Sequence, residues 1–137
     1  MTGSKKVIRV LFLLQRPEAW INIASIWHEM DKNPIFKLTA LLLPYNFRDE
    51  GLTKLKLEAH KELLISNGIP YEEWRPESNL RLDQYDVAFF THPYDRERPR
   101  NFWFNQVRAR VKKIVYVPYG LSVGAGTKNL SYQYGQP

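Results

Sequence analysis

The chain has 137 residues, 44% of them hydrophobic and 25% charged, with no cysteine and a net charge of +6. That length suits one domain and can bury a real core, which excludes collagen-like, low-complexity and disordered readings. The lack of cysteine excludes a disulfide framework, a thiolate nucleophile and a cysteine-bound zinc site, and it fits a reducing compartment.

Residues 1–5 are set aside as a disordered or expression-derived start, and the Rossmann-like domain is expected over residues 6–120. The run Lys6–Leu14, KVIRVLFLL, is nearly continuous in apolar residues, as a strand covered on both faces of a parallel sheet would be. Its longest uninterrupted part, Val10–Leu14, is far short of the ~20 residues that span a bilayer. No small-residue cleavage site follows it, so it is not a signal peptide. Glu18–Asp31 reads as a helix, with Pro17 suited to its first turn and Trp20, Ile23, Ala24, Trp27 and Met30 on one stripe. Asn33-Pro34 ends it. Phe36–Leu43, FKLTALLL, is a second buried strand.

Leu52–Ser66 reads as a second helix with Leu52, Leu55, Ala59 and Leu63 inward, stopped by Asn67-Gly68. Ile69–Trp74 is a short third strand, and a polar connection follows, with a helical turn near Leu80. Asp86–Thr91, DVAFFT, is a fourth strand. Arg100–Val111 reads as a helix with Trp103, Val107 and Val111 on its inner side, and Lys113–Val117 is a fifth strand. Trp20, Trp27 and Trp103 fall on apolar stripes and read as core. Alternating strands and helices joined by right-handed crossovers predict a Rossmann-like three-layer α/β sandwich. Its sheet is expected to be five-stranded and parallel in the order 3-2-1-4-5, with Val10, Phe12, Leu41, Ala88, Phe90 and Val115 buried. Residues 121–137 are Gly-rich, without an amphipathic helix, and read as a tail leading to a second domain.

Charge is concentrated. Arg96, Arg98, Arg100, Arg108, Arg110, Lys112 and Lys113 stand against Glu97 alone, so this stretch carries the whole net charge. Such a face suits an anionic partner or is the solvated side of one helix. Arg98 and Arg100 flank Pro99 at the expected helix start, where an anion site or a solvated loop is expected.

Ligands of an open parallel sheet bind beyond the carboxyl ends of its strands. Those ends carry Gln15, Arg16, Pro17 and Trp20; then Pro44, Tyr45 and Asn46; then His92, Pro93, Tyr94 and Asp95; then Pro118, Tyr119 and Gly120. Guanidinium, imidazole and phenol together suit phosphates and sugar hydroxyls. The dinucleotide glycine fingerprint is missing after the first strand, and Gly124–Lys128 lacks the order of a phosphate loop. His28 and His60 sit on helices without a partner one turn away and read as partly exposed residues; His92, at a strand end, is the functional candidate.

Four segments together resemble a known family: QRPEAWINIASIWHEMDKNPIFKLTALLLP, DVAFFTHPYDRERP, IVYVPYG and GTKNLSYQYGQP. The chain, over roughly residues 7–137, is similar to the amino-terminal half of CDP-glycerol glycerophosphotransferase-like proteins, relatives of teichoic-acid and capsule polymerases. The resemblance implies the acceptor-side half of a two-domain GT-B transferase. Such an enzyme moves glycerophosphate or a glycosyl unit from a CDP-alcohol or nucleotide-sugar donor to a cell-surface polymer. It also implies a donor-binding carboxyl-terminal domain as partner and a polyol-phosphate or sugar acceptor. Many members place a Trp-His-Gly-Thr-Pro segment after the fifth strand, with the histidine as proposed general base. Here Val117–Leu121 stands there, with Tyr119 in the histidine position and only Gly120 matching.

The expected catalytic residues are therefore His92 and Tyr119. Arg16, Tyr45, Tyr94, Asp95, Arg98 and Gly120 are expected to bind substrate or phosphate, and no metal or cofactor is expected. His92, Tyr94, Arg98 and Tyr119 are expected to form one open, solvent-accessible cluster. The expected location is cytoplasmic, at the inner face of the membrane, where the basic third helix allows contact with anionic lipid. The rival reading is a stand-alone flavodoxin-like ligand-binding or interaction domain without catalysis. Nucleic acid is disfavoured, because the aromatic residues among the arginines are committed to the core side.

Overall fold

The computed structural model describes residues 6–44, 50–78, 80–92, 95 and 98–117. Strand β1 (Ile8–Leu14) leads through a 3-10 turn (Pro17–Ala19) into helix α1 (Trp20–Asp31), then β2 (Phe36–Leu42), α2 (Glu50–Ser66) and β3 (Glu72–Glu73). A 3-10 turn (Leu82–Gln84) precedes β4 (Val87–Phe90); another (Arg100–Phe102) precedes α3 (Phe104–Arg110) and β5 (Lys113–Tyr116). All pairings are parallel and the order is β3-β2-β1-β4-β5, the Rossmann-like sheet expected from the sequence.

β1 pairs with β2 on one side and β4 on the other, and alternate residues serve opposite layers. Val10, Phe12 and Leu14 meet Trp20, Ile23 and Trp27 of α1 and Leu64 of α2. Leu11 and Leu13 meet Phe102, Val107, Val111 and the Leu82–Tyr85 turn. Phe12 stacks on Phe89 at 4.6 Å between centroids and meets the Trp27 ring edge-on at 5.0 Å. At the other end of the sheet, Asp86 ties three strands. Its Oδ2 accepts from the Arg9 amide at 2.9 Å, its own amide donates to the Arg9 carbonyl, and its carbonyl accepts from the Lys113 amide. The Arg9 hydrogen bond is the main cause holding its carboxyl below the ordinary value, with Lys112 assisting.

Several expectations are corrected. The third strand shrinks to Glu72–Glu73, because Ile69 belongs to the end of α2. Gly68 adopts φ 68°, its amide donates to the Ile65 carbonyl, and the Ile69 amide donates to the Leu64 carbonyl. This is the Schellman ending that glycine permits, with Ile69 as its buried apolar contact. The expected single third helix is broken at Trp103, which is extended at ψ 151°. Val115 is partly exposed rather than core, since β5 is an edge strand paired only with β4. The inner face of α2 is also shifted. Leu55 and Ala59 face solvent, while His60 and Leu64 turn inward.

His60 is thus fully buried, not partly exposed as expected, and neither ring nitrogen has a hydrogen-bond partner. Burial pushes its pKa down to about 4, opposed by the charge of Glu18. A histidine depressed in the folded state gives up stability as pH falls. The unfolded chain takes the proton near pH 6.5, and the folded chain only near 4. The expected loss across that window is about 3 kcal/mol. Urea titrations between pH 7 and 4 should show it in the parent and not in His60→Leu. Parallel pH profiles would refute burial of a neutral imidazole.

Candidate functional site

The chain leaves β1 toward β2 on one side, while β4 lies on the other, so the ends of β1 and β4 form the switch-point crevice of the sheet. Buried polarity gathers there. Among the described residues, five polar or charged side chains are buried, and four of them, Gln15, Thr91, His92 and Arg98, belong to this crevice; His60 is the fifth. Gln15 directly follows β1, and Thr91 and His92 directly follow β4.

Arg98 joins these ends. Its Nη1 donates to the His92 carbonyl at 2.6 Å and to Gln15 Oε1 at 3.2 Å, and its Nη2 donates to Asp95 Oδ1 at 2.7 Å. The guanidinium also lies over the Phe90 ring, 4.5 Å from its centroid. Asp95 Oδ1 accepts from the Phe104 amide at 2.7 Å as well, and Trp103 Nε1 donates to the Arg98 carbonyl at 3.1 Å. These two bonds set where α3 begins. Burial lowers the Arg98 pKa, while Asp95 and the phenol of Tyr116 oppose the shift. An arginine nevertheless keeps its charge. The cation is spent on holding β1, β4 and the turn before α3 together.

The structure brings Arg98, Asp95 and His92 of the expected site together, with His92 joined through its backbone carbonyl. Arg16 follows Gln15, is half-buried, and lies 3.5 Å from the Glu18 carboxylate. Tyr45, Tyr94, Tyr119 and Gly120 lie outside the described residues. The expectation of an open cluster is corrected for His92 and Arg98, which are 1% and 6% exposed. Three acceptors draw the guanidinium inward, and the His92 ring is among the largest fully buried side chains. Replacing His92 by alanine therefore removes core volume, contrary to the near-neutral change expected of a surface residue.

Two residues were not anticipated. Thr91 continues β4 into the crevice, with its hydroxyl 3.4 Å from the Leu13 carbonyl. Tyr116 ends β5 within electrostatic reach of Arg98 and is exposed. Its one sequence signal is a phenol at a strand end. Among the described residues no three side chains group to hold a metal ion, and no helix is long and apolar enough to cross a membrane. Comparison of the chain with protein-family models, curated proteins and solved structures finds no match.

Arg98→Met keeps the apolar stem and removes the cation, and with it the bonds accepted by the buried Gln15 amide oxygen and the His92 carbonyl. It should cost about 3 kcal/mol in denaturant unfolding, whereas Asp95→Asn, whose site is partly solvated, should cost about 1 kcal/mol. A loss below 1 kcal/mol for Arg98→Met would show that the clamp does not hold these strands.

Proposed function

We propose that this chain is the acceptor-side, amino-terminal domain of a GT-B-type transferase. In this reading the enzyme passes glycerophosphate or a glycosyl unit from a nucleotide-linked donor to a cell-surface polymer, with the donor held by a second domain. The supporting observation is the collection of buried polar groups at the switch point of a doubly wound sheet, the place where such folds take ligands. Two segments quoted for the family resemblance start at these strand ends: QRPEAW follows β1, and THPYDRERP follows β4.

Transfer to a hydroxyl needs a group to take its proton and cations to offset charge on phosphate oxygens. His92 is the proposed base. Its burial means that the acceptor hydroxyl must enter the crevice, where water is excluded. Arg16, half-buried at the crevice mouth, is the proposed phosphate contact. Arg98 acts as a positioning residue, since its donors are directed at protein acceptors. The second reading, a ligand-binding domain without catalysis, is favoured by that same sealing of His92.

In a protein joining this domain to its donor domain, His92→Gln should lower turnover of CDP-glycerol at least 10²-fold. Arg16→Gln should raise the acceptor KM about tenfold with little change in kcat, the mark of a binding contact. The 137-residue chain alone should bind the acceptor and turn nothing over. Full activity in folded His92→Gln would remove the transferase assignment for this crevice and leave the binding reading.

A further inference from the structure

The second face of the sheet is covered by α3 and by the chain around Leu82–Tyr85. A parallel crossover ordinarily brings a helix back across the sheet. Here the β3-to-β4 connection carries only the 3-10 turn Leu82–Gln84 among its described residues. A chain thinner than a helix leaves space between itself and α3. That space is a groove of about 500 Å³, within the range of small-molecule sites.

The groove's chemistry is specific. Trp74 and Phe102 both line it and meet edge to face, with centroids 6.5 Å apart, and the Trp74 indole is only half-buried. Arg81 lines one bank and is neutralised by Asp83 at 3.0 Å. Arg100 and Arg110 line the groove from the α3 side, and neither meets a carboxylate among the described residues. Arg100 lies over the Trp103 ring at 5.2 Å. Arg110 is pinned by Nη1, which donates to the Gln106 carbonyl at 3.0 Å and to Gln106 Oε1 at 2.9 Å. Among the described residues its Nη2 and Nε meet no further acceptor. Holding a long side chain in place beforehand removes part of the entropy cost of binding. Two planar cations with free donors match phosphoryl oxygens, and a partly open indole matches a flat ring.

We propose that this groove is a nucleoside-diphosphate site, separate from the switch-point crevice, in which Arg100 and Arg110 hold the diphosphate and Trp74 faces the base. The reading does not depend on the transferase assignment, because none of the crevice residues lines the groove. Calorimetric titration of the 137-residue chain at low salt, with CDP, ADP and inorganic pyrophosphate as probes, tests it. Both nucleotides should bind saturably and at least tenfold more tightly than pyrophosphate. Arg100→Gln/Arg110→Gln should weaken CDP binding at least tenfold. Gln106→Glu, an exposed change that places a carboxylate against Arg110, should do the same with the fold intact by circular dichroism. Absence of saturable binding would overturn the proposal, as would equal affinity for pyrophosphate or indifference to both sets of variants. Loss of binding in Arg16→Gln with retention in the groove variants would assign the nucleotide to the crevice and likewise overturn it.

Discussion

β1 carries the structure. It is the central strand of the five, paired with β2 along its whole length and with β4 over Val10–Leu13, and Val10 to Leu14 are at most 1% exposed. Burying each such side chain contributes roughly 1.5–3 kcal/mol, so this one strand supplies a large share of what opposes the chain's conformational entropy. Its pleat sets the rest. Phe12 pointing one way requires the Trp27 layer, and Leu11 and Leu13 pointing the other require Val107 and Phe102. A strand buried on both faces cannot lie at an edge, so the chain must continue on one side and return on the other. The crevice at the ends of β1 and β4 follows from that continuation.

Arg98 shows what it takes to close such a crevice. Removing a guanidinium from water is unfavourable by several kcal/mol unless its donors are met. Here Gln15, the His92 carbonyl and Asp95 accept three hydrogen bonds from its two terminal nitrogens, a planar fork that no other side chain offers. Its buried Nε stays without a partner. An apolar plug would cost less to bury. It would also remove the hydrogen bonds that Gln15 and the strand-end carbonyl accept, and would not fix the turn that starts α3. The clamp contributes definition of the site more than net stability.

The strands were legible because two-sided burial writes itself as continuous apolar runs, and their order followed from crossover handedness. The faces of α2 were not. Leu55, Ala59 and Leu63 make one helical stripe, and Leu57, His60 and Leu64 make another on an adjacent face. Periodicity ranks the purely apolar stripe first, whereas the position of the Pro17–Ala19 turn decides for the one containing a histidine. The crevice was legible as a place, since Arg16, His92, Asp95 and Arg98 were all named from strand ends and turn residues. Their exposure was not legible. Arg98 looks like its neighbours Arg96 and Arg100, and what turns it inward is a set of three acceptors, one of which, Gln15, lies 83 positions away.

The basic stretch therefore is not one face. Arg98 points into the sheet end, Arg100 and Arg110 line the groove, Lys112 reaches Asp86 at 3.4 Å, and Arg108 and Lys113 are exposed elsewhere. Attraction to an extended polyanion such as a lipid surface grows with the number of cations presented together, because each exposed charge is screened within about 10 Å. Here one of these cations is buried in the clamp and another is offset by Asp86, so fewer act together on such a surface. They act instead where donors are held in place and water is partly excluded. The distribution therefore suits discrete phosphate-bearing ligands better than a broad anionic surface.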